Sequence, residues 1–450
     1  MSKRSKLIHA APRWLWTAAV LALLSSVTWA GNNHGFAFRS VGGVLINAEG
    51  VVGEPTATET ALTRKSALEK FKEPAADLAQ PVELRMFSLR AAEEAIGKAN
   101  ADLAYELPDE IKFMAGLQRI QYIFVYPEQN DIVLAGPGEG WKIDAKGNHV
   151  GITTGRPVLR IEDFILAMRT VDNARQGGIS VSIDPSAEGR KRLDQLLSAH
   201  KTFSADVLDK IEKALGPQQV SIHGIPTTSR FARTLVASDY KMKRIAMDLQ
   251  ESPVKGLPSY IDMLKSPPDN MMPRWWMACH YEPIAKGKDG LSWEIRGQGV
   301  KVLTEDEIVE KDGSVKGTGK ANPVAQKWAD LMTEKYDELS VKEPIFGELR
   351  NLMDMSVAAA LIAKEDLLAK AGCQLPLIAD SSSKLGVTSW VAPRFVDTQC
   401  SATKRGREYI ITASGGVEIA SWQVAEKTVE SADMEAIRSN AAPKSGSLYW

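Results

Sequence analysis

The stretch YIFVYPEQNDIVLAGPGEGWKIDAKGNHVGI, residues Tyr122 to Ile152, predicts a β-hairpin followed by a glycine-rich segment. β-Branched and aromatic residues dominate the runs on both sides of Pro127–Asp131, and the residues between them favour a turn. Two strands joined by so short a turn pair antiparallel. The stretch therefore indicates a sheet built from hairpins.

Three glycines, Gly136, Gly138 and Gly140, raise the question of a phosphate-binding loop. Such a loop needs a helix directly after the last glycine, because the N–H groups of the helix N-terminus bind the anion. Here Trp141 and Ile143 alternate with polar residues before the turn DAKGN, which is typical of a strand, a turn and a second strand. The segment predicts a glycine-rich β connection and no nucleotide cofactor.

The remaining sequence mixes helical and strand periodicities, which predicts an α+β fold with mainly antiparallel strands and hairpins. A chain of 450 residues usually forms more than one domain. The run from Gln250 to Arg274 contains five prolines and suggests a boundary. We therefore expect two lobes of mixed helices and strands, residues 31–252 and 253–438, and an unstructured tail, residues 439–450.

The N-terminus has the pattern of a secretory signal peptide, residues 1–30. Four basic residues precede an apolar run from Leu15 to Leu24, and small residues lead to a cleavage point at Ala30. Cleavage would leave 51 basic and 56 acidic residues, a net charge of −5. We expect an exported, soluble protein, in the periplasm or outside the cell, without general affinity for nucleic acid and without a transmembrane segment.

Export makes a disulfide possible, and we expect it between Cys373 and Cys400, which flank strand-like segments of the second lobe. Three unpaired thiols are the alternative, because sequence does not fix connectivity. Cys279 stands next to His280, but neighbours on a strand point to opposite faces, which disfavours a thiolate–imidazole pair.

Two clusters are candidates for ligand contact. A predicted helix carries five basic residues, Arg230, Arg233, Lys241, Lys243 and Arg244, which form either a surface for an acidic partner or a solvated face. Four aromatic residues, Trp275, Trp276, Tyr281 and Trp293, fall in a strand-rich region. They form either a binding platform or part of the core, and on a strand Trp275 and Trp276 face opposite sides.

The sequence contains no catalytic or metal-binding motif. Neither a zinc-binding H-E-x-x-H or C-x-x-C spacing nor a G-x-S-x-G nucleophile elbow occurs, so no metal site and no catalytic residue is predicted.

The motifs YIFVYPEQNDIVLAGPGEGW, TGRPVL, SDYKMKRIAM and RWWMACHYEP resemble an uncharacterised family of large secreted bacterial proteins, a domain of unknown function. The resemblance covers most of the mature chain. It implies export and a shared fold, and it assigns no activity to any residue.

The sequence as a whole favours an exported binding or interaction protein with a protein or polymer partner. The alternative is an exported hydrolase that acts on a cell-wall or extracellular polymer through carboxylates. A deep cleft with converging carboxylates would favour the enzyme, and an exposed aromatic patch would favour binding.

Overall fold

The computed structural model describes residues 40–450 except 102–106, 200–207, 267–272, 306, 310–314, 384–386, 399, 406 and 443–445. The predicted signal peptide and its cleavage point lie outside the described residues. Within those residues, helices and strands are interspersed and most strand pairs are antiparallel, which confirms the α+β class.

The strands are β1 Leu45–Ile46, β2 Val51–Gly53, β3 Val82–Ser88, β4 Tyr122–Tyr126, β5 Asp131–Gly138, β6 Trp141–Ile143, β7 His149–Gly151, β8 Ile179–Asp184, β9 Gln218–His223, β10 Arg274–His280, β11 Ile284–Lys286, β12 Ser292–Glu294, β13 Gly299–Glu305, β14 Glu307–Val309, β15 Val315–Gly317, β16 Phe395–Val396, β17 Cys400–Arg405, β18 Arg407–Thr412, β19 Ser414–Ile419 and β20 Thr428–Glu430. The helices are α1 Ala57–Lys70, α2 Ala76–Ala79, α3 Leu89–Ala101, α4 Asp109–Lys112, α5 Ile161–Arg169, α6 Val171–Gly177, α7 Ala187–Ala199, α8 Leu208–Leu215, α9 Arg230–Ala246, α10 Tyr260–Met263, α11 Pro323–Glu334, α12 Tyr336–Lys342, α13 Pro344–Lys364, α14 Leu367–Ala371, α15 Pro376–Ala379, α16 Ser421–Ala425 and α17 Met434–Asn440.

The two large sheets combine strands from both predicted lobes. One sheet has the order β1-β2-β16-β9-β8-β19-β10-β13, and the other has the order β20-β11-β12-β4-β5-β3. β4 pairs with β12, and β8 pairs with β19, so hydrogen bonds cross the expected boundary at residue 252 in each sheet. α9 and β10, which lie on either side of the proline-rich run in sequence, belong to the same compact unit, so the run does not mark a boundary between two lobes.

The predicted hairpin is present as β4 and β5, which pair from Tyr122↔Ala135 to Tyr126↔Asp131. The following segment continues into β6 and β7, which pair antiparallel, so the expected strand–turn–strand is confirmed. A Cβ at Gly136 would lie 2.4 Å from the carbonyl oxygen of Arg119. Glycine is required there because another backbone passes too close for a side chain.

Two helices form the centre of the core. α9 packs on β8 and β19 and also contacts α13, and α13 contacts α5, α12 and α16. Every residue of α13 from Pro344 to Ile362 is buried, including several that carry charges. Among the described helices, none has the length and apolar character needed to cross a bilayer.

The expected unstructured tail is wrong for its last residues. The amide of Met86 donates to the carbonyl of Trp450 at 3.0 Å, and the amide of Ser88 donates to that of Leu448 at 2.9 Å. The C-terminus thus extends the edge of β3, where unpaired backbone groups favour an additional strand.

Candidate functional site

The predicted basic surface is wrong, because α9 is a buried helix. Arg230, Arg233, Lys241 and Lys243 are all at least nine-tenths buried, and Arg244 is half-buried. The helix begins after Ser229, whose Oγ accepts a hydrogen bond from the Ala232 amide at 3.0 Å. Both the apolar and the basic residues of α9 are covered, because the helix packs between the eight-stranded sheet and α13.

Arg230 connects three helices. Its guanidinium donates to Asp163 Oδ2 of α5 at 2.6 Å and to Glu348 Oε2 of α13 at 2.7 Å, and its Nε lies 4.0 Å from Glu162. Burial raises the pKa of Asp163 to about 6, even though Arg230 favours its ionised form. Charged groups at this depth are stable only when paired, so the cluster fixes how the helices pack.

Lys243 ties α9 to the eight-stranded sheet. Its ammonium lies 2.8 Å from Asp239 Oδ2 and donates to the carbonyls of Ile183 at 2.7 Å and Gly415 at 3.4 Å. Burial raises the pKa of Asp239 to about 6, against the attraction of Lys243.

The other basic side chains of α9 are also engaged. Lys241 contacts Glu54 Oε1 at 2.8 Å, and Arg244 lies 3.4 Å from the same oxygen. The guanidinium of Arg233 lies 5.0 Å from the ring centroid of Trp390. These contacts leave no basic surface on α9 for an acidic partner.

The four aromatic residues do not form one exposed platform, because Trp275 and Trp293 are completely buried. Trp275 is completely buried; its ring centroid lies 5.0 Å from those of Tyr260 and Trp328, and its Nε1 donates to the Ala325 carbonyl at 3.3 Å. Trp276 is half-buried on the opposite face of β10, as the alternation predicted. The core alternative therefore holds for Trp275.

Trp293 belongs to the interior as well, and Tyr281 is partly buried against the core. Trp293 is completely buried on β12, where it pairs with Ile123. The Tyr281 hydroxyl donates to Asp354 Oδ1 at 2.7 Å, and Arg119 donates to both oxygens of that carboxylate at 2.7 and 2.9 Å. Burial raises the pKa of Tyr281, and Asp354 raises it further.

The predicted disulfide is not formed. Cys373 lies in the main core, whereas Cys400 packs with Ile211 and Leu215 in a separate cluster, and no disulfide joins the described cysteines. The two residues occupy different regions because β17 begins beside α8. Burial raises the pKa of the Cys279 thiol to about 12, which argues against a thiolate nucleophile there.

The glycine-rich connection surrounds a carboxylate of the chain itself. Glu139 accepts hydrogen bonds from the amides of Thr153 at 2.8 Å and Thr154 at 2.9 Å, from the Thr154 hydroxyl, and from Gln118 Nε2 at 2.7 Å. Burial opposes ionisation, but these donors outweigh it and lower the pKa of Glu139. A Cβ at Gly151 would lie 2.0 Å from Glu139 Oε1, so glycine makes room for the carboxylate.

A polar cleft of about 1030 Å³ opens where β9 leads into α9. Its described walls come from α5, α6, the loop before α9 and residues 381, 383 and 387–389. Seven of its polar side chains make no hydrogen bond to any described residue: Asn173, Gln176, His223, Thr228, Ser381, Thr388 and Ser389. Neither Asp nor Glu is among the described residues that line the cleft.

The polar residues at the back of the cleft are fixed by the backbone. Arg169 donates to the carbonyl of Ser383 at 2.8 Å and to that of Leu377, and the Ser229 hydroxyl donates to the Pro226 carbonyl at 2.7 Å. The cleft thus has a hydrogen-bonded back wall and a rim of exposed hydroxyl, amide and imidazole groups. Such a surface can donate and accept hydrogen bonds but offers no carboxylate for acid–base chemistry.

The fold and the cleft define an α+β protein with a polar concave surface beside a buried charged helix. Residues 181–260 match the family model described as Protein of unknown function (DUF1598). The match runs from β8 through α9, and it includes the loop that forms one wall of the cleft. The chain therefore contains a domain of an uncharacterised family. No curated protein and no solved structure matches the chain.

Sequence reasoning missed the cleft, because its residues come from three separate parts of the chain and form no motif. The one local signal is HGIPTTSR, residues 223–230, in which a strand ends, a proline follows and Ser229 caps a helix. Strand–loop–helix junctions of this kind place polar loop residues at the edge of a sheet.

Proposed function

We propose that this protein is an exported binding protein whose polar cleft takes a ligand rich in hydroxyl or amide groups, such as a segment of an extracellular polymer. The observation that carries the proposal is the cleft itself, with its seven hydrogen-bonding side chains that have no partner in the described chain. Pockets of a few hundred to about 1000 Å³ suit small-molecule or oligomeric ligands.

The composition of the cleft favours binding over hydrolysis. The described lining residues provide no carboxylate, and the two buried carboxylates whose pKa rises to about 6, Asp163 and Asp239, are each paired with a cation. A hydrolase would need such groups at the surface of the cleft to transfer protons to a substrate. A carboxylate-dependent hydrolase is therefore the weaker alternative.

Export is part of the proposal, and its support is the basic start and apolar run of residues 1–30. N-terminal sequencing of secreted material should begin at or near Gly31. Recovery of the uncleaved chain in the membrane fraction would contradict export.

Calorimetry on the full mature chain tests the cleft, with maltotriose, chitotriose and trialanine as probes. These probes offer hydroxyls alone, hydroxyls with acetamido groups, and peptide amides. We expect at least one to bind, and we expect the double variant Asn173→Ala/His223→Ala to bind it about tenfold more weakly, because each lost hydrogen bond costs about 0.5 to 1.5 kcal/mol.

Gln219→Ala is the matched control, because Gln219 is an exposed amide on β9, the strand that ends at His223. It should bind like the wild type. Equal binding by the double variant would remove the cleft as the site. Cleavage of a probe would instead support the hydrolase.

A further inference from the structure

A second cavity, of about 420 Å³, adjoins the polar cleft and differs from it in chemistry. The two cavities share Val387 and Thr388. Its apolar wall consists of Ile96 and Ala99 of α3, Leu107, and Ile161 of α5, and its charged side consists of two cations, Lys112 and Arg160, and one carboxylate, Glu162. An apolar chamber with a positive end is suited to an amphipathic anion rather than to a polyol.

Arg160 is the exceptional residue of this cavity. Its Nη2 lies 3.1 Å from His149 Nδ1, and its guanidinium lies 5.3 Å from the centroid of the Phe113 ring. Among the described residues, no carboxylate comes within ion-pair distance of Arg160. Arg230, by contrast, binds two carboxylates directly.

His149 cannot neutralise Arg160. Burial lowers the pKa of His149 well below its ordinary value, and the nearby cations Arg160, Arg230 and Lys112 lower it further. The ring is therefore neutral, and Nδ1 accepts the hydrogen bond from Arg160. Burial and Arg230 also lower the pKa of Arg160, whereas Glu348, Glu162 and Asp163 raise it without a direct contact. An anion in the cavity would supply the direct charged hydrogen bond that no described carboxylate makes to this guanidinium.

The acidic groups around the cavity already have cationic partners. Asp109 lies 3.1 Å from Lys112 Nζ, and Glu162, which lines the cavity, lies 4.0 Å from Arg230. Asp163 and Glu348 are hydrogen bonded to Arg230. Arg160 thus remains as the group that can bind an incoming anion through a two-pronged contact.

We propose that this second cavity binds a small organic carboxylate with an apolar body. The carboxylate accepts hydrogen bonds from the Arg160 guanidinium, and Lys112 adds positive charge at the same end. The apolar body contacts Ile96, Ala99, Leu107 and Ile161. This site is separate from the polar cleft, and its ligand is of a different class.

Calorimetry of the full mature chain with hexanoate, and with hexan-1-ol as the uncharged match, tests the site. We expect hexanoate to bind more tightly than hexan-1-ol, and Arg160→Gln to weaken hexanoate binding about 10- to 100-fold, because a charged hydrogen-bond partner is lost. Hexan-1-ol binding should change little. Ala99→Leu should weaken both ligands, because the added side chain occupies the cavity.

Lys98→Gln is the matched control, since Lys98 is an exposed cation on α3, one residue from Ala99. It should leave the binding of both ligands unaffected.

Three results would overturn the proposal: no hexanoate binding to the wild type, equal binding of the alcohol and the acid, or unchanged hexanoate binding in an Arg160→Gln variant with wild-type thermal midpoint. If Arg160→Gln fails to fold, loss of hexanoate binding in Ala99→Leu at an unchanged midpoint still decides whether the cavity is the site. These results do not depend on Asn173 or His223, so they are independent of the test of the polar cleft.

Discussion

The charged groups around α9 have partners within the protein, whereas many polar side chains of the cleft have no hydrogen-bond partner among the described residues. In the interior, Arg230, Lys243 and Lys241 each contact at least one carboxylate. In the cleft, side chains such as Asn173 and His223 contact no described hydrogen-bond partner. A buried polar group without a partner is costly, so interior pairing maintains the fold, whereas unpaired groups at a concave surface are available for a ligand.

The strongest test of this comparison is Arg230→Leu. The change leaves Asp163 and Glu348 buried without their cation, and we expect the free energy of unfolding at pH 7 to fall by about 3 to 5 kcal/mol. Urea denaturation measures the loss. The triple variant Arg230→Leu/Asp163→Leu/Glu348→Leu is the control, because it removes all three charges together and should lose much less. A single variant that loses under about 1 kcal/mol would contradict the structural role of the cluster.

The hairpin and the helix α9 show what sequence alone can predict. The turn between Tyr126 and Asp131 is predictable because the residues that form it are neighbours in the chain. α9 was predicted as a helix for the same reason, and Ser229 is its cap. Its exposure was predicted wrongly, because all but one of the carboxylates that pair with its basic residues, Glu54, Asp163 and Glu348, lie far away in sequence. In the sequence alone, a buried basic helix whose acidic partners are unknown cannot be distinguished from a basic helix that faces solvent.

The same limit applies to Trp275 and to the cysteines. Alternation on a strand places Trp275 and Trp276 on opposite faces, but only α10 and α11 decide which face is covered. Cys373 and Cys400 are of the right residue type for a disulfide, yet pairing depends on the distance between two separately packed regions. Local pattern thus predicts elements and faces, and tertiary contacts decide burial.

The pH dependence of the free energy of unfolding, compared between the wild type and Asp239→Asn, tests a buried carboxylate. The expected effect is smaller than that of Arg230→Leu. Burial raises the pKa of Asp239 to about 6, against about 3.9 in an unfolded chain. Between these values the native state holds a proton that the unfolded state has lost, so this group's contribution to stability falls as pH rises from 4 to 6. Lys243 and Arg274 favour the charged form, and Asp184 opposes it.

We therefore expect Asp239→Asn to gain stability relative to the wild type as pH rises through this range, by roughly 1 to 3 kcal/mol. Urea denaturation at pH 4, 5, 6 and 7 gives the difference at each pH. Asp262→Asn is the control, because Asp262 is a surface-accessible carboxylate whose oxygen accepts from Ser259 at 2.8 Å. Parallel pH profiles for the wild type and Asp239→Asn would show that Asp239 does not bind the extra proton.

The smallest change in the free energy of unfolding is expected for variants of the cleft. This small change is informative because it separates residues that bind a ligand from residues that stabilise the fold. Asn173→Ala and His223→Ala remove side chains that are exposed and contact no described hydrogen-bond partner, so each should change the free energy of unfolding by no more than about 0.5 kcal/mol. Denaturation in the absence of ligand measures this, and Gln219→Ala sets the scale for an ordinary exposed amide on β9. A loss of about 2 kcal/mol or more in either cleft variant would mean that the residue stabilises the fold, and the contrast between a paired interior and an unpaired cleft would then fail at that residue.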